Sequence, residues 1–106
     1  MIYVLNALPI QAMDGEEATL KIRRITPEEA KILLRGENFT SAVGHKATAE
    51  VLTMVLGVEI PENRIEIKFR SGDKLLIGTL RRRLQEGQVL QHLSPEDVVL
   101  FWVEVE

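Results

Sequence analysis

The chain has 106 residues, and its 13 basic and 16 acidic side chains give it a net charge of −3. At this length we expect a single domain over residues 1–106, with one small core. An enzyme with two lobes and a wide cleft between them is not expected. The chain has no cysteine and only two histidines, which excludes a disulfide framework, a thiolate nucleophile and a three-histidine zinc site. We find no membrane-spanning run and no signal peptide, so a cytoplasmic protein is predicted.

The charge is unevenly distributed along the chain. Residues 64–83 carry seven basic and two acidic side chains, a local charge of +5, whereas the other residues sum to −8. The net acidity argues against duplex DNA as a partner. A compact basic segment on an acidic protein suits a small anionic ligand, but from charge alone a solvated strand face is the simpler explanation.

The first 25 residues predict two strands. The continuous apolar run at residues 2–5 is typical of a central strand that is buried on both faces. Residues 6–15 contain Pro9 and an Asp-Gly pair and predict a loop. Residues 18–25 then alternate between apolar and polar side chains, with Leu20 and Ile22 on the same face, which predicts a second strand.

Two helices are expected next. Residues 26–29 (Thr-Pro-Glu-Glu) have the pattern of a capping box with proline in the first turn, so a helix should begin there and end near Gly36. Residues 39–44 are ambiguous. A second helix is predicted from residue 45 or 46 to Gly57, with an apolar face toward the core.

The remaining chain predicts three more strands. Residues 64–70 alternate strictly and predict a half-buried strand, residues 71–73 a turn, and residues 75–80 the hairpin partner of that strand. Residues 94–97 predict a short helical turn, and residues 98–106 the last strand. The order ββααβββ predicts an α/β fold: a single domain with one mixed β-sheet of about five strands flanked by helices.

Residues 44–48 (Gly-His-Lys-Ala-Thr) place a histidine at the beginning of the second helix. The free N–H groups of a helix N-terminus attract anions, and an imidazole there can donate a proton to the oxygen that leaves a bound phosphate. The competing interpretation is a histidine that only caps the helix or packs against it. Without a second catalytic group nearby in the sequence, that structural role is the commoner one.

A second candidate site lies at residues 81–86, where three arginines precede a glutamate. Arginines at a strand end can hold a phosphate through two parallel hydrogen bonds, and a glutamate can orient a hydroxyl. The competing interpretation is a basic strand end at which Glu86 pairs with Arg83 to close a turn. The sequence pattern alone favours neither.

Five short segments of the chain occur in a recognisable order. They are Val-Leu-Asn-Ala (4–7), Ala-Val-Gly-His (42–45) with Thr48, Asn-Arg-Ile-Glu-Ile-Lys (63–68), Gly-Asp-Lys-Leu (72–75) and Arg-Leu-Gln-Glu-Gly-Gln-Val-Leu (83–90). In their order and approximate spacing, these segments resemble those of a family of small viral and bacterial α/β proteins that includes the viral anti-CRISPR ring nucleases. Each segment alone is a weak signal, whereas all five in register are specific.

The resemblance implies an enzyme that opens cyclic tetra-adenylate, the second messenger of type III CRISPR defence, without a metal ion or other cofactor. It also implies a homodimer that binds the ring across its two-fold axis. The family's catalytic histidine, arginine and glutamate fall on His45, Arg83 and Glu86. Two departures from the family are Pro9, where relatives have a serine, and a shorter segment between Leu90 and the last strand.

Further residues are predicted to contact the ligand. Some match family positions near the ligand, and others supply amides at the start of the second helix. The predicted ligand-binding residues are Asn6, Ala7, Gly44, Ala47, Thr48, Arg64 and Arg82.

The proposed chemistry needs only the residue types that are present. In RNA, a 2′-hydroxyl in line with its 3′-phosphate can displace the 5′-oxygen and leave a 2′,3′-cyclic phosphate. Arg83 and the helix amides would stabilise the phosphate, and His45 would act as the acid. Glu86 would orient the 2′-hydroxyl, hold Arg83 or act on His45. The rival hypotheses are a dimer that binds the ring without cleaving it and a regulatory protein with no nucleotide ligand.

Overall fold

Five strands form one sheet in the computed structural model, which describes residues 1–81 and 97–106. The chain also forms two helices, one on each side of the third strand in sequence, and one 3₁₀ turn between the first two strands. The elements are β1 (Ile2–Leu5), the 3₁₀ turn (Ile10–Ala12), β2 (Leu20–Ile25), α1 (Pro27–Leu34), β3 (Phe39–Ser41), α2 (Lys46–Leu56), β4 (Lys74–Leu80) and β5 (Val98–Val105).

The sheet is mixed, with the strand order β2-β5-β4-β1-β3. β1 pairs in parallel with both β3 and β4, whereas β5 is antiparallel to both of its neighbours, β4 and β2. The strands β1 to β4 therefore point in one direction and β5 opposes them. This arrangement confirms the predicted α/β fold with one mixed five-stranded sheet.

The two faces of the sheet are covered differently. On one face, α1 and α2 pack against apolar strand residues such as Val4 and Leu76. On the other face, Leu75 and Ile77 are covered by side chains from irregular segments, including Phe69. Trp102 is 3% exposed and lies in the cluster under the helices.

Local sequence signals define both helices. The capping box before α1 is confirmed: Thr26 Oγ1 accepts a hydrogen bond from the Glu29 amide at 3.1 Å, and Glu29 Oε1 accepts one from the Thr26 amide at 3.2 Å. α2 ends at Gly57, whose φ of 71° belongs to the left-handed region that glycine adopts readily. Neither helix formed by residues 1–81 and 97–106 is long and apolar enough to span a membrane.

The predicted hairpin of residues 64–70 and 75–80 is wrong. Residues 64–70 join no strand of the sheet; they run alongside it, with Phe69 buried and Ile65 44% exposed. Both sides of β4 are occupied, by β1 and β5, so the alternating segment has no edge there to pair with. The continuous apolar sequence of β4 is typical of a central strand, and its position explains that composition.

The predicted order of elements needs revision. The ambiguous residues 39–44 contain the short strand β3, so the order of elements in the described chain is ββαβαββ. Ile22 is 53% exposed on the edge strand β2, so the apolar face that it shares with Leu20 is only partly covered. The helical turn predicted for residues 94–97 falls largely outside the described residues.

Candidate functional site

The sheet topology brings the first candidate residues together. β1 and β3 are adjacent and parallel, so the residues that follow their carboxyl ends meet at one edge of the sheet. Asn6 follows β1, and Gly44 and His45 follow β3 and precede α2. The carboxyl ends of parallel strands are the usual place for ligand sites in open α/β sheets.

His45 is the N-cap residue of α2. Its Nδ1 accepts a hydrogen bond from the Thr48 amide at 3.3 Å and lies 3.0 Å from Thr48 Oγ1. When Nδ1 accepts from an amide, the other ring nitrogen, Nε2, is the one that can donate a hydrogen bond. Within the described residues Nε2 makes no hydrogen bond, and the exposed ring presents it to solvent.

The beginning of α2 also has amides that no acceptor occupies. Lys46 and Ala47 precede the first intrahelical hydrogen bond, and in the described part of the chain neither amide donates to a protein group. At the beginning of α1, by contrast, the first residue is Pro27, which has no N–H group, and the first turn carries the acidic residues Glu28 and Glu29. The α2 terminus is thus the better placed of the two to bind an anion.

Asn6 and Arg64 both contact the backbone of Gly44. Asn6 Oδ1 accepts a hydrogen bond from the Gly44 amide at 3.3 Å, and Arg64 Nε donates one to the Gly44 carbonyl at 2.9 Å. The structure therefore brings five of the predicted residues together through these hydrogen bonds: Asn6, Gly44, His45, Thr48 and Arg64. Ala7 follows Asn6 and is exposed, whereas Thr48 is buried beneath the imidazole.

Two further residues at this edge, Asn63 and Ser41, are not among the predicted site residues. Asn63 donates from its amide nitrogen to the Val43 carbonyl and from Nδ2 to the Ser41 carbonyl, both at 2.8 Å. Ser41 Oγ donates to the Pro61 carbonyl at 2.6 Å. These bonds fix the start of the irregular segment that carries Arg64. A polar side chain at the end of a buried strand was the available sign, and Ser41 has that character.

The second candidate site lies largely outside the described residues. Arg82, Arg83 and Glu86 all fall between residues 81 and 97, so their predicted roles stay predictions. Arg81 follows β4, which is parallel to β1, and it therefore lies at the same edge of the sheet as Asn6. In the described residues no group of three or more histidine, aspartate or glutamate side chains could hold a metal ion.

The fold and this edge define a small α/β protein with a candidate anion site at the carboxyl ends of parallel strands. The chain belongs to the STIV B116-like family, whose model matches residues 2–99. Its structure is similar to B116 of Sulfolobus turreted icosahedral virus, with a TM-score of 0.80, 24% identity and 97% of each chain covered. That similarity establishes the shared fold.

Relatives by sequence come from archaeal viruses and from a bacterium. Protein 26 of Sulfolobus islandicus filamentous virus is 48% identical over 86% of this chain and 77% of its own length. Protein ORF117 of Acidianus two-tailed virus is 41% identical over 95% of this chain and 87% of its own. YddF of Bacillus subtilis is 32% identical over 66% and 67% of the two chains.

Proposed function

We propose that this protein is a metal-independent ring nuclease that opens cyclic tetra-adenylate and so silences the effectors of type III CRISPR defence. One observation carries the proposal: His45 stands beside amides of α2 that have no acceptor among the described residues, with Nδ1 fixed and Nε2 directed outward. A phosphate bound to these amides would lie next to a group that can protonate its leaving oxygen.

The proposed step breaks one phosphodiester bond. The 2′-oxygen bonds to phosphorus, the bond from phosphorus to the 5′-oxygen breaks, and His45 gives its Nε2 proton to that 5′-oxygen. The 2′-hydroxyl proton passes to Glu86 or to water, and Arg83 balances the charge that grows on the phosphate.

The acid must be an imidazolium, because a neutral ring would leave an imidazolate. The contact with Thr48 accommodates this state: a protonated Nδ1 can donate to Thr48 Oγ1, 3.0 Å away, in place of accepting from the Thr48 amide. Thr48 thus offers a partner to the ring before and after proton transfer. The amide and the hydroxyl lie on the same side of the imidazole, so the ring need not turn.

We further propose that the active form is a homodimer in the host cytoplasm, with the ring bound across the two-fold axis and no role for duplex DNA. Support for the dimer comes from the resemblance to ring nucleases and from symmetry. A ring with four equivalent nucleotides presents opposite phosphates to two equivalent sites. The local charge of +5 over residues 64–83 suits such a compact polyanion.

The rival function is a dimer that binds the ring and leaves it intact. The hydrogen bond that Nδ1 accepts from the Thr48 amide favours it, because Nε2 can then donate a hydrogen bond to a phosphate without releasing a proton. The two functions differ in whether the imidazole is needed after the ring has bound.

The direct test is incubation of the purified protein with labelled cyclic tetra-adenylate in EDTA. We expect linear products that end in a 2′,3′-cyclic phosphate, because the step uses no metal. Arg35→Ala is the control variant, and it should cleave the ring at the wild-type rate. It removes one exposed arginine that follows α1 at the opposite edge of the sheet. Activity that EDTA abolishes and a divalent ion restores would refute the mechanism. Binding without products would establish the rival function.

A further inference from the structure

We propose that Asn6 and Arg64 act as positioning residues that fix the two peptide groups flanking the Gly44 Cα and thereby aim the His45 imidazole. This inference rests on the proposed function, in which His45 is the acid. It assigns to Asn6 and Arg64 a role through the backbone, different from the direct ligand contact that the resemblance implies.

The two hydrogen bonds act on different peptide groups. The Gly44 amide, which Asn6 accepts from, belongs to the peptide group between Val43 and Gly44. The Gly44 carbonyl, to which Arg64 donates, belongs to the next peptide group, which also contains the His45 nitrogen. Glycine has the least restricted backbone of any residue, so without these bonds Gly44 could turn either plane. With both bonds present, the backbone that enters His45 has one orientation.

Arg64 is itself held in place. Asn63, its neighbour, is fixed to β3 by two hydrogen bonds to the carbonyls of Ser41 and Val43. The Arg64 stem also lies over Gly44, since a Cβ added to the glycine would be 3.4 Å from Arg64 Cγ. The arginine therefore approaches Gly44 from a fixed segment, and its Nε points at the carbonyl.

The position of an acid matters greatly for its effect on rate. A displacement of about 1 Å in a reacting group can cost about 10²-fold in rate. His45 receives its orientation from two sides: Thr48 holds the ring, and Asn6 and Arg64 hold the peptide before it. Loss of either backbone bond should slow the bound reaction while the phosphate-binding amides of α2 stay where they are.

The experiment compares Asn6→Ala, Asn6→Asp, Arg64→Ala and Arg64→Lys in single-turnover cleavage and in equilibrium binding of cyclic tetra-adenylate. We expect each alanine variant to slow the bound step by roughly 10–10²-fold, with a Kd within about threefold of the wild-type value. Asn6→Asp should recover much of the rate, because a carboxylate oxygen still accepts from the Gly44 amide. Arg64→Lys should recover little, because an ammonium lacks the geometry of Nε.

Asn38→Ala and Arg35→Ala are the matched controls. Both residues are exposed and lie between α1 and β3, at the edge of the sheet opposite the site. An alanine variant of Asn6 or Arg64 that loses affinity but keeps the wild-type rate once bound would overturn the inference. Such a result would mean that these side chains contact the ligand directly.

Hydrogen exchange of the Gly44 amide provides a readout that does not depend on activity. We expect Asn6→Ala to speed this exchange by at least tenfold and Asn38→Ala to leave it unchanged. Unchanged exchange in Asn6→Ala would overturn the inference. If the wild-type protein leaves the ring intact, the proposed function fails, and the exchange measurement still decides whether Asn6 fixes the Gly44 peptide.

Discussion

His45 has two roles, N-cap residue and proposed acid, and each role needs a different protonation state of the imidazole ring. As the N-cap of α2, it accepts a hydrogen bond from the Thr48 amide and must be unprotonated at Nδ1. As an acid, it must carry protons on both nitrogens. The Thr48 hydroxyl reconciles the two states because it can donate to Nδ1 or accept from it. The cap requires Nδ1 without a proton and the acid requires Nδ1 with one, so the imidazole adopts one state or the other at a given time.

His45→Asn separates the two roles. Asparagine is among the best N-cap residues, so this variant should keep the stability of the wild-type protein while it loses the imidazole. His45→Ala should lose both the cap, at roughly 0.5–1 kcal/mol of unfolding free energy, and the acid. We expect both variants to cleave bound ring roughly 10²–10⁴-fold more slowly than the wild-type protein. Chemical denaturation and single-turnover kinetics measure the two effects.

If His45 serves only as a cap, His45→Asn will retain wild-type cleavage. That outcome would move the acid to another residue. A His45→Asn variant that is both slow and unstable would show that asparagine does not cap α2. The cleavage rates of His45→Asn and His45→Ala would then be compared together with the measured stability of His45→Ala.

At this scale the sequence predicts individual residues better than their contacts. A glycine and a histidine before an apolar helical pattern place His45 at a helix N-terminus, and the structure confirms that position. The bond from Arg64 to Gly44 joins residues 20 positions apart, and Arg64 belongs to a segment whose alternation predicts a strand. The direction in which the Arg64 side chain points depends on tertiary packing, which no local sequence pattern encodes.

Among the elements, β4 and α2 meet at a glycine. A Cβ added to Gly78 would lie 2.4 Å from Cδ2 of Leu52, which is 1% exposed. Gly78→Ala should therefore lower the free energy of unfolding by roughly 1–3 kcal/mol, because the buried leucine has little room to move. Urea denaturation measures the loss.

A double-mutant cycle tests the cause of that loss. Leu52→Ala alone should cost roughly 2–5 kcal/mol by leaving a cavity, and the added Cβ of Gly78→Ala would then occupy part of it. The double variant should be more stable than the sum of the two single effects predicts. Additive losses would show that Gly78 is required for another reason, such as its backbone conformation.

The elements that the sequence predicts best are those with local signals. The capping box of α1, the glycine end of α2 and the apolar run of β1 each depend on neighbouring residues, and each is confirmed. The alternation of residues 64–70 is equally local but misleading. Apolar residues at every second position also suit an extended segment that covers a sheet face, as the burial of Phe69 shows.

For the whole molecule, the proposed dimer makes a prediction about product length. A ring bound across a two-fold axis meets two His45 side chains, so the wild-type dimer should cut opposite phosphates and release fragments of two nucleotides. A heterodimer of wild-type and His45→Asn chains, purified with two affinity tags, should cut once and release a linear molecule of four nucleotides at early times. Chromatography of the products distinguishes the two.

The heterodimer also provides its own control, because the His45→Asn homodimer should release neither product at a comparable rate. Sedimentation should give a mass twice the 12.0 kDa of the chain. A monomer that cleaves the ring at full rate, or a heterodimer that yields the same early fragments as the wild-type protein, would contradict the proposed arrangement.

The antiparallel strand β5 has a consequence for how this fold can diversify. The chain leaves β4 at Arg81 and re-enters at Asp97, and the Arg81 amide donates to the Asp97 carbonyl at 2.7 Å. The sheet therefore brings Arg81 and Asp97 together at the edge that carries the candidate site. Where the two ends of a connecting stretch are held together, doubling the length of a flexible connection costs only about 0.6 kcal/mol. We therefore expect changes in the length of the sequence between Arg81 and Asp97 to leave the strands of the sheet, and α2 with its N-cap His45, folded as they are.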